Sequence, residues 1–162
     1  MDFIKEFHRA EARPAGAFAI ADHLAGGAAL PAIVGPSPSR IIWVLPMPRG
    51  GFFRARVAAL GAPVVARLGV SDARIYEPLA EAALEPGAGW SLLTADLSAY
   101  AGWKFSLFYR PDGLQWRLNL SVDAPAGIPG RIAVGSPEIV ASPGNAREYL
   151  SRRARITRSG GP

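Results

Sequence analysis

The sequence has no cysteine, which excludes disulfide bonds, thiol catalysis and cysteine-ligated metal centres. Its two histidines, His8 and His23, lie in the first 30 residues, and neither a Gly-x-Ser-x-Gly nor a His-x-x-His motif occurs. No apolar run approaches the ~18 residues of a membrane-spanning helix, and the N-terminus lacks the apolar core of a signal peptide. Nothing here marks a catalytic centre. We predict no enzyme activity, no cofactor and no metal, and the compartment stays open.

Proline and glycine, by contrast, are abundant, with 15 and 18 residues in a chain of 162. They are too frequent for a helical bundle, while a hydrophobic content of 49% is too high for a disordered chain. A chain of this length buries roughly two-thirds of its unfolded surface around one core. Many short strands joined by turns fit this composition.

The net charge of +5 is concentrated near the end of the sequence. The charged side chains of residues 145 to 162 are Arg147, Arg152, Arg153, Arg155, Arg158 and Glu148. The rest of the chain is therefore close to neutral. A solvated arginine-rich end is the simpler interpretation, and contact of this basic tail with an anionic surface is the alternative.

The first 35 residues differ in pattern from the rest. Apolar residues recur at helical spacing over residues 3 to 7, behind Asp2, a residue suited to cap a helix. A second short helix is predicted from Ala17 to Leu24, where Gly26-Gly27 would end it. The following stretch PAIVGPSPS is rich in turn residues. We therefore predict a helical N-terminal arm and linker over residues 1 to 35.

From Arg40 onward apolar residues alternate with a period of two, which is typical of strands. In FFRARVAAL, for example, one face carries Phe53, Ala55 and Val57, and the other carries both arginines. The predicted strands cover residues 40–46, 52–60, 64–70, 73–77, 91–97, 104–110, 115–122 and 131–140.

The connections point to a sandwich. The turn residues RPDGL join the strands at 104–110 and 115–122 into a hairpin, and SAYAG, with Gly102, forms a corner after ADL. Asn145 and Glu148 stand at capping-box spacing before a helix over about 146–155. We predict an all-β fold: a two-sheet antiparallel jelly-roll β-sandwich over residues 36 to 143, with short N- and C-terminal helices and a basic tail in 144 to 162.

The order of these signals resembles jelly-roll carbohydrate-binding modules of the NPCBM-like and galactose-binding-like group. The resemblance covers residues 36 to 141 and is carried by PSPSRIIWVLP, by DLSAYAG before KFSLFYR, and by the final strand IAVGSPEIV. One departure is that Arg131-Ile-Ala-Val-Gly135 replaces the D-x-A-x-W pattern usual before the last strand. These motifs are structural, so the resemblance implies the fold more strongly than a ligand.

Function is expected on the polar strand positions opposite the core. Planar guanidinium and amide groups suit bidentate contacts with sugar hydroxyls or carboxylates, and a tryptophan at the corner suits stacking on a sugar ring. The candidate ligand-binding residues are Arg54, Trp103, Arg110, Gln115, Arg117 and Asn119. The alternative is the ordinary solvated face of an antiparallel sheet. Trp43, Trp90 and Trp116 are interpreted as packing residues.

We therefore predict a non-catalytic module that recognises a glycan through a polar sheet face or loop edge. The alternative function is a structural or adaptor subunit of a larger assembly, in which the helical arms mediate protein contacts or self-association. Asp72, Asp96 and Asp123 fall at predicted strand ends, where a calcium site is conceivable, but turn capping by their side chains is favoured.

Overall fold

The computed structural model describes residues 1–45, 51–71, 76–97, 116–125 and 127–140. Over these ranges the chain forms one short 3-10 helix, Phe7–Arg9, and ten strands. The strands are β1 (Glu11–Arg13), β2 (Ala19–Ala25), β3 (Ala28–Pro36), β4 (Ser39–Leu45), β5 (Phe52–Leu60), β6 (Val64–Ser71), β7 (Tyr76–Leu84), β8 (Ser91–Asp96), β9 (Trp116–Asp123) and β10 (Arg131–Val140). Within the described ranges, no helix has the length and apolar character needed to cross a membrane.

The strands form two five-stranded antiparallel sheets. Sheet A has the order β2-β3-β10-β5-β8, and sheet B has the order β1-β4-β9-β6-β7. Two hairpins, β2-β3 and β6-β7, join strands that are neighbours in one sheet. Every other connection between consecutive described strands crosses from one sheet to the other, so neighbours such as β4-β9-β6 come from distant parts of the sequence. The predicted all-β jelly-roll sandwich is confirmed.

One main hydrophobic core lies between the sheets. Phe53 and Val57 of β5 enter it from sheet A, and Trp43, Leu118 and Leu120 enter it from sheet B, each at most 2% exposed. The four residues of β5 and β9 are at positions that the period-two pattern assigned to one apolar face. For β5 and β9, the prediction of which residues face the core is therefore confirmed.

The prediction of a helix from Ala17 to Leu24 is wrong, because residues 19 to 25 form strand β2. Gly26 and Gly27 have φ of 56° and 79°, and Ala25 pairs with Ala28. Two consecutive residues with positive φ between paired strands form the type I′ hairpin turn, for which Gly-Gly is well suited. The glycines reverse the direction of a strand here and do not end a helix.

The stretch predicted as a linker is also a strand. β3 occupies residues 28 to 36, and Ala32, Ile33 and Val34 are buried. Its two prolines lie at positions where the loss of a backbone N–H disturbs the hydrogen bonds of the sheet least. Pro31 pairs with β2 alone, and Pro36 is the last residue of the strand. β1 to β3 belong to the two sheets, so the prediction of a helical arm over residues 1 to 35 is wrong.

The first three residues pack into the sandwich. The Phe3 N–H donates to the carbonyl of Pro137 and the Ile139 N–H to that of Met1, both at 2.9 Å. The Phe3 side chain is 0% exposed, with its ring 4.7 Å from Trp43 and 5.8 Å from Phe53 between centroids. The backbone of this segment is therefore bonded to β10, and Phe3 is part of the core.

A small second cluster covers the outer face of sheet A. Trp90 packs with Leu60 over Ala32, Val34 and Ala133, and its indole N–H donates to the Ala28 carbonyl at 2.8 Å. The interpretations of Trp43 and Trp90 as packing residues are confirmed. The side chain of Trp116, the strand at 104–110 with its hairpin turn, the SAYAG corner and the C-terminal helix lie outside the described residues.

Candidate ligand-binding face

The structure separates the three candidate binding residues that it describes. Arg117 and Asn119 lie on β9 in sheet B, whereas Arg54 lies on β5 in sheet A, where its guanidinium pairs with Glu138 at 2.7 Å. The core lies between the two outer faces, so Arg54 cannot share a site with the two residues of β9. Trp103, Arg110 and Gln115 lie outside the described residues.

The strand register of sheet B places a glycine directly beside Asn119. Asn119 lies opposite Ile42 of β4 on one side and Gly69 of β6 on the other. One row further along, Arg117 lies opposite Val44 and Ser71. The glycine leaves a gap in the side-chain layer of the outer face.

Tyr76 of β7 fills this gap. It pairs with Ser71, and a Cβ added at Gly69 would lie 2.4 Å from the Tyr76 ring, so the ring must lie directly over the glycine. A side chain at residue 69 would displace it. Tyr76 is nevertheless 47% exposed. From the edge strand β7, its ring covers the neighbouring strand β6 and presents an aromatic surface to solvent.

A β-bulge is the reason that Tyr76 points outward. Ala80 pairs with Leu68 and Pro78 with Gly69, so Leu79 is an extra residue in β7. Strict alternation from Leu84, which is in the core, would turn residue 76 inward. The extra residue shifts the phase by one and places Tyr76 on the outer face.

Asn119 is held in a fixed orientation next to this ring. It is 5% exposed, and its Nδ2 donates to the Ser71 hydroxyl at 3.2 Å and to the Arg117 carbonyl at 3.0 Å. Burial of an amide is costly unless it is hydrogen-bonded, and these bonds offset that cost. The carboxamide is thereby preorganised before any ligand arrives.

The next row of the outer face is charged. Arg67 pairs with Glu81 at 2.7 Å and also with Asp123. The hydrogen bond that Arg67 donates to Glu81 and the negative charges of both carboxylates raise the pKa of Arg67 above its ordinary value, and burial of the guanidinium opposes this with a smaller effect. On β1, Arg13 is paired with Glu11. Most of the arginines in this row are therefore neutralised.

Two arginines on this face have no such partner. Arg40 of β4 and Arg117 of β9 form no ion pair or side-chain hydrogen bond with the residues that the structure describes. Arg40 is exposed and Arg117 is partly exposed. Both guanidinium groups are therefore open to a ligand.

The described residues contain no cluster of three histidine, aspartate or glutamate side chains that could hold a metal ion. His23 instead packs edge-to-face on Trp90, with the ring centroids 5.7 Å apart. Asp123, considered for calcium from the sequence, pairs with Arg67.

Tyr76 was missed by the sequence analysis, which placed a strand at residues 73–77 but assigned no function to it. Its role depends on the cross-strand position of Gly69 and on the bulge at Leu79. Neither is visible in one strand alone. A tyrosine two residues before a proline was the available signal, and it is a weak one.

No protein-family model matches the sequence, and no curated protein sequence matches it either. Solved structures do. Two structures containing the CBM51-2 and INT domains of Clostridium perfringens ZmpB, one of them in complex with GlcNAc, align with 88% and 91% of this chain. Their TM-scores are 0.52 and 0.54, and their identities are 13% and 14%. This chain spans 30% and 33% of the length of those chains.

A third similar structure is a single module. TmCBM61, in complex with β-1,4-galactotriose, aligns with 83% of this chain at 12% identity and a TM-score of 0.50, and this chain covers 88% of it. Identities this low establish the architecture and leave the ligand open. The resemblance in the sequence is confirmed at the level of fold: the chain has the jelly-roll fold of carbohydrate-binding modules.

Proposed function

We propose that this chain is a non-catalytic module that binds a glycan on the outer face of sheet B. The observation that carries the proposal is the exposed ring of Tyr76 lying over Gly69, beside the immobilised carboxamide of Asn119. An aromatic platform contacts the apolar face of a sugar ring, while an amide and a guanidinium bind its hydroxyls. Arg117 supplies the guanidinium.

The similar structures support this choice of ligand class. One ZmpB structure containing CBM51-2 is a complex with GlcNAc, and TmCBM61 is a complex with β-1,4-galactotriose. The alternative, a subunit of a larger assembly, was favoured by helical arms at the two ends of the chain. The N-terminal arm is instead folded into the sandwich as strands. The N-terminal residues therefore form no helical arm that would favour the assembly function.

The expected affinity is modest, because the face is open and few groups converge on it. A tyrosine side chain buries about 150 Å² or more when fully enclosed, and roughly half of Tyr76 is still exposed, so a ligand can cover ~75–100 Å² of it. At ~25 cal/mol per Å² this amounts to about 2 kcal/mol. Dissociation constants near the millimolar range are expected for such a site.

The test begins with a glycan array and continues with calorimetric titration of the selected oligosaccharide. Tyr76→Ala should weaken binding by about 30-fold, the equivalent of ~2 kcal/mol, whereas Tyr76→Phe, which keeps the ring, should retain most of the affinity. Leu92→Ala is the matched control, since Leu92 is 56% exposed but lies on β8 of sheet A. It should bind like the wild type.

Two results would contradict the proposal. If no saccharide bound the wild type at tens of millimolar, the glycan function would be abandoned. If Tyr76→Ala and Leu92→Ala both bound like the wild type, the ligand would lie elsewhere, and sheet B would not be the binding face. Melting curves of all variants establish that a loss of affinity is not a loss of folding.

A further inference from the structure

The outer face of sheet B carries a row of charged side chains next to Asn119. In register across the strands, Arg40 of β4 lies opposite Arg13 of β1 on one side and Ser121 of β9 on the other. Ser121 in turn lies opposite Arg67 of β6. Three of four adjacent strands therefore place an arginine in one row, with a small hydroxyl residue among them.

The pairing of Arg40 with Arg13 is unfavourable by itself. Like charges directly opposite each other on neighbouring strands destabilise a sheet. Glu11 neutralises Arg13, and Glu81 with Asp123 neutralises Arg67. Arg40 alone in this row has no acidic partner among the described residues, and it is exposed. An anion placed at Arg40 would supply the missing counter-charge.

The position of Arg40 connects it to the proposed glycan face. Ser121 and Asn119 are alternate residues of β9, so they point to the same side, and Arg117 follows two residues further on. Arg40 and Val44, the partner of Arg117, are four residues apart on β4, which is about 13 Å. The two unpartnered guanidinium groups thus flank the Asn119 and Tyr76 site along one line.

We propose that the glycan recognised by this face is anionic, with a carboxylate or sulfate group bound by Arg40 and the Ser121 hydroxyl. This inference rests on the proposed function. A planar guanidinium binds such groups through two parallel hydrogen bonds, and the neighbouring hydroxyl donates a third. Arg117 is placed to contact the next anionic substituent or a neutral hydroxyl.

The arrangement fits a sparsely charged ligand better than a dense polyanion. Glu11, Glu81 and Asp123 stand within the same face, and they would repel the closely spaced phosphates of a nucleic acid. Affinity for nucleic acid depends on many unpaired cations, whereas the described residues of this face offer two, Arg40 and Arg117. The exposed ring of Tyr76 adds a stacking surface that suits a sugar.

The experiment compares matched oligosaccharides that differ only at C6. β-1,4-Linked glucose and galactose oligomers of three to six units are titrated beside their C6-oxidised uronate and 6-sulfated forms, at ~20 mM salt. The anionic member of a pair should bind at least tenfold more tightly, and Arg40→Gln should abolish this preference. Arg56→Gln is the control, because Arg56 is also an exposed strand arginine with no described partner but lies on sheet A. It should keep the preference.

The possible results distinguish binding of an anionic glycan from glycan binding in general. Equal binding of neutral and anionic members would overturn the anionic ligand and leave glycan binding intact. Binding of neither would overturn both. If Arg56→Gln reduced the preference as much as Arg40→Gln, the general charge of the protein would explain it, and the site at Arg40 would be wrong. Tight binding of single-stranded DNA of the same length would replace the glycan with a nucleic acid.

Discussion

Replacing Phe3 with alanine is expected to destabilise the whole sandwich, although the residue stands third in the sequence. Its side chain is 0% exposed, and its ring lies against Trp43 of sheet B and Phe53 of sheet A. The backbone of the same segment pairs with residues 137 and 139 of β10. Phe3 therefore joins both sheets at one end of the core.

The magnitude follows from what the substitution removes. Truncation of a fully buried phenylalanine costs ~3–5 kcal/mol through lost burial and the cavity that remains. Two aromatic contacts, with centroids 4.7 and 5.8 Å away, place the expected value toward the upper half of that range, at about 4 kcal/mol. For a domain of this size, that corresponds to a decrease in Tm of roughly 8–16 °C.

Urea unfolding followed by tryptophan fluorescence measures this change, with Phe7→Ala as the matched control. Phe7 is only partly buried, and its ring centroid lies 6.4 Å from that of Phe18. Its truncation should therefore lower the free energy of unfolding by less than half as much as Phe3→Ala. A loss below ~1 kcal/mol for Phe3→Ala would show that the N-terminal segment is an appendage, as a helical arm would have been, and would refute its place in the core.

Two further substitutions test local contacts. Gly135→Ala should lower the free energy of unfolding by ~1–3 kcal/mol, because the new Cβ would lie 3.0 Å from the Trp90 ring and 3.1 Å from Leu30. Urea unfolding of the single and double variants measures the change. If the effects of Gly135→Ala and Trp90→Ala were fully additive, the contact between the new Cβ and the Trp90 ring would be contradicted. Burial raises the pKa of Asp2, but hydrogen bonds from the Lys5 and Ile4 amides and the charge of Lys5 outweigh it and lower the pKa below 3.8. The carboxylate therefore stabilises the fold above that pH, by less than ~1 kcal/mol because it is half exposed, and the benefit is lost as pH falls through the lowered pKa. Asp2→Asn should be less stable than the wild type at pH 7 and equal to it near pH 2; a constant difference would contradict the assignment.

The period-two pattern predicted the strands of the later part of the chain well, because those strands have one face in the core. β5 and β10 begin and end at the residues expected from alternation and turn signals, β6 and β8 differ by one residue at one end, and β4 and β9 are shifted by one residue. β7 is the exception, because it extends to residue 84 and the predicted strand ended at residue 77. A buried face selects apolar residues at alternate positions, so the signal is present in the sequence itself. Fold class could be read from such segments.

The N-terminal strands could not be read in this way, for a physical reason. β2 is an edge strand in which Ile20 is 50% and Leu24 is 66% exposed, so burial imposes little alternation on it. Its alanines favour a helix in isolation. Only pairing with β3, which depends on the whole sheet, makes it a strand. Tertiary contacts therefore outweighed the local preference for a helix. The Gly-Gly pair does not distinguish the two structures, because it can end a helix or form a hairpin turn.

The candidate site shows the same dependence on context in a sharper form. Arg117 and Asn119 were identified because β9 alternates regularly, but Tyr76 required the extra residue at Leu79 to be known. A single inserted residue reverses the direction of every side chain beyond it. The extra residue also places Pro78 opposite Gly69. Proline has no backbone N–H to donate, and this loss destabilises the sheet least on an edge strand such as β7. The same irregularity therefore creates the aromatic platform and hides it from the sequence pattern. In this sandwich, the residues beyond a bulge are the ones that alternation alone assigns to the wrong face.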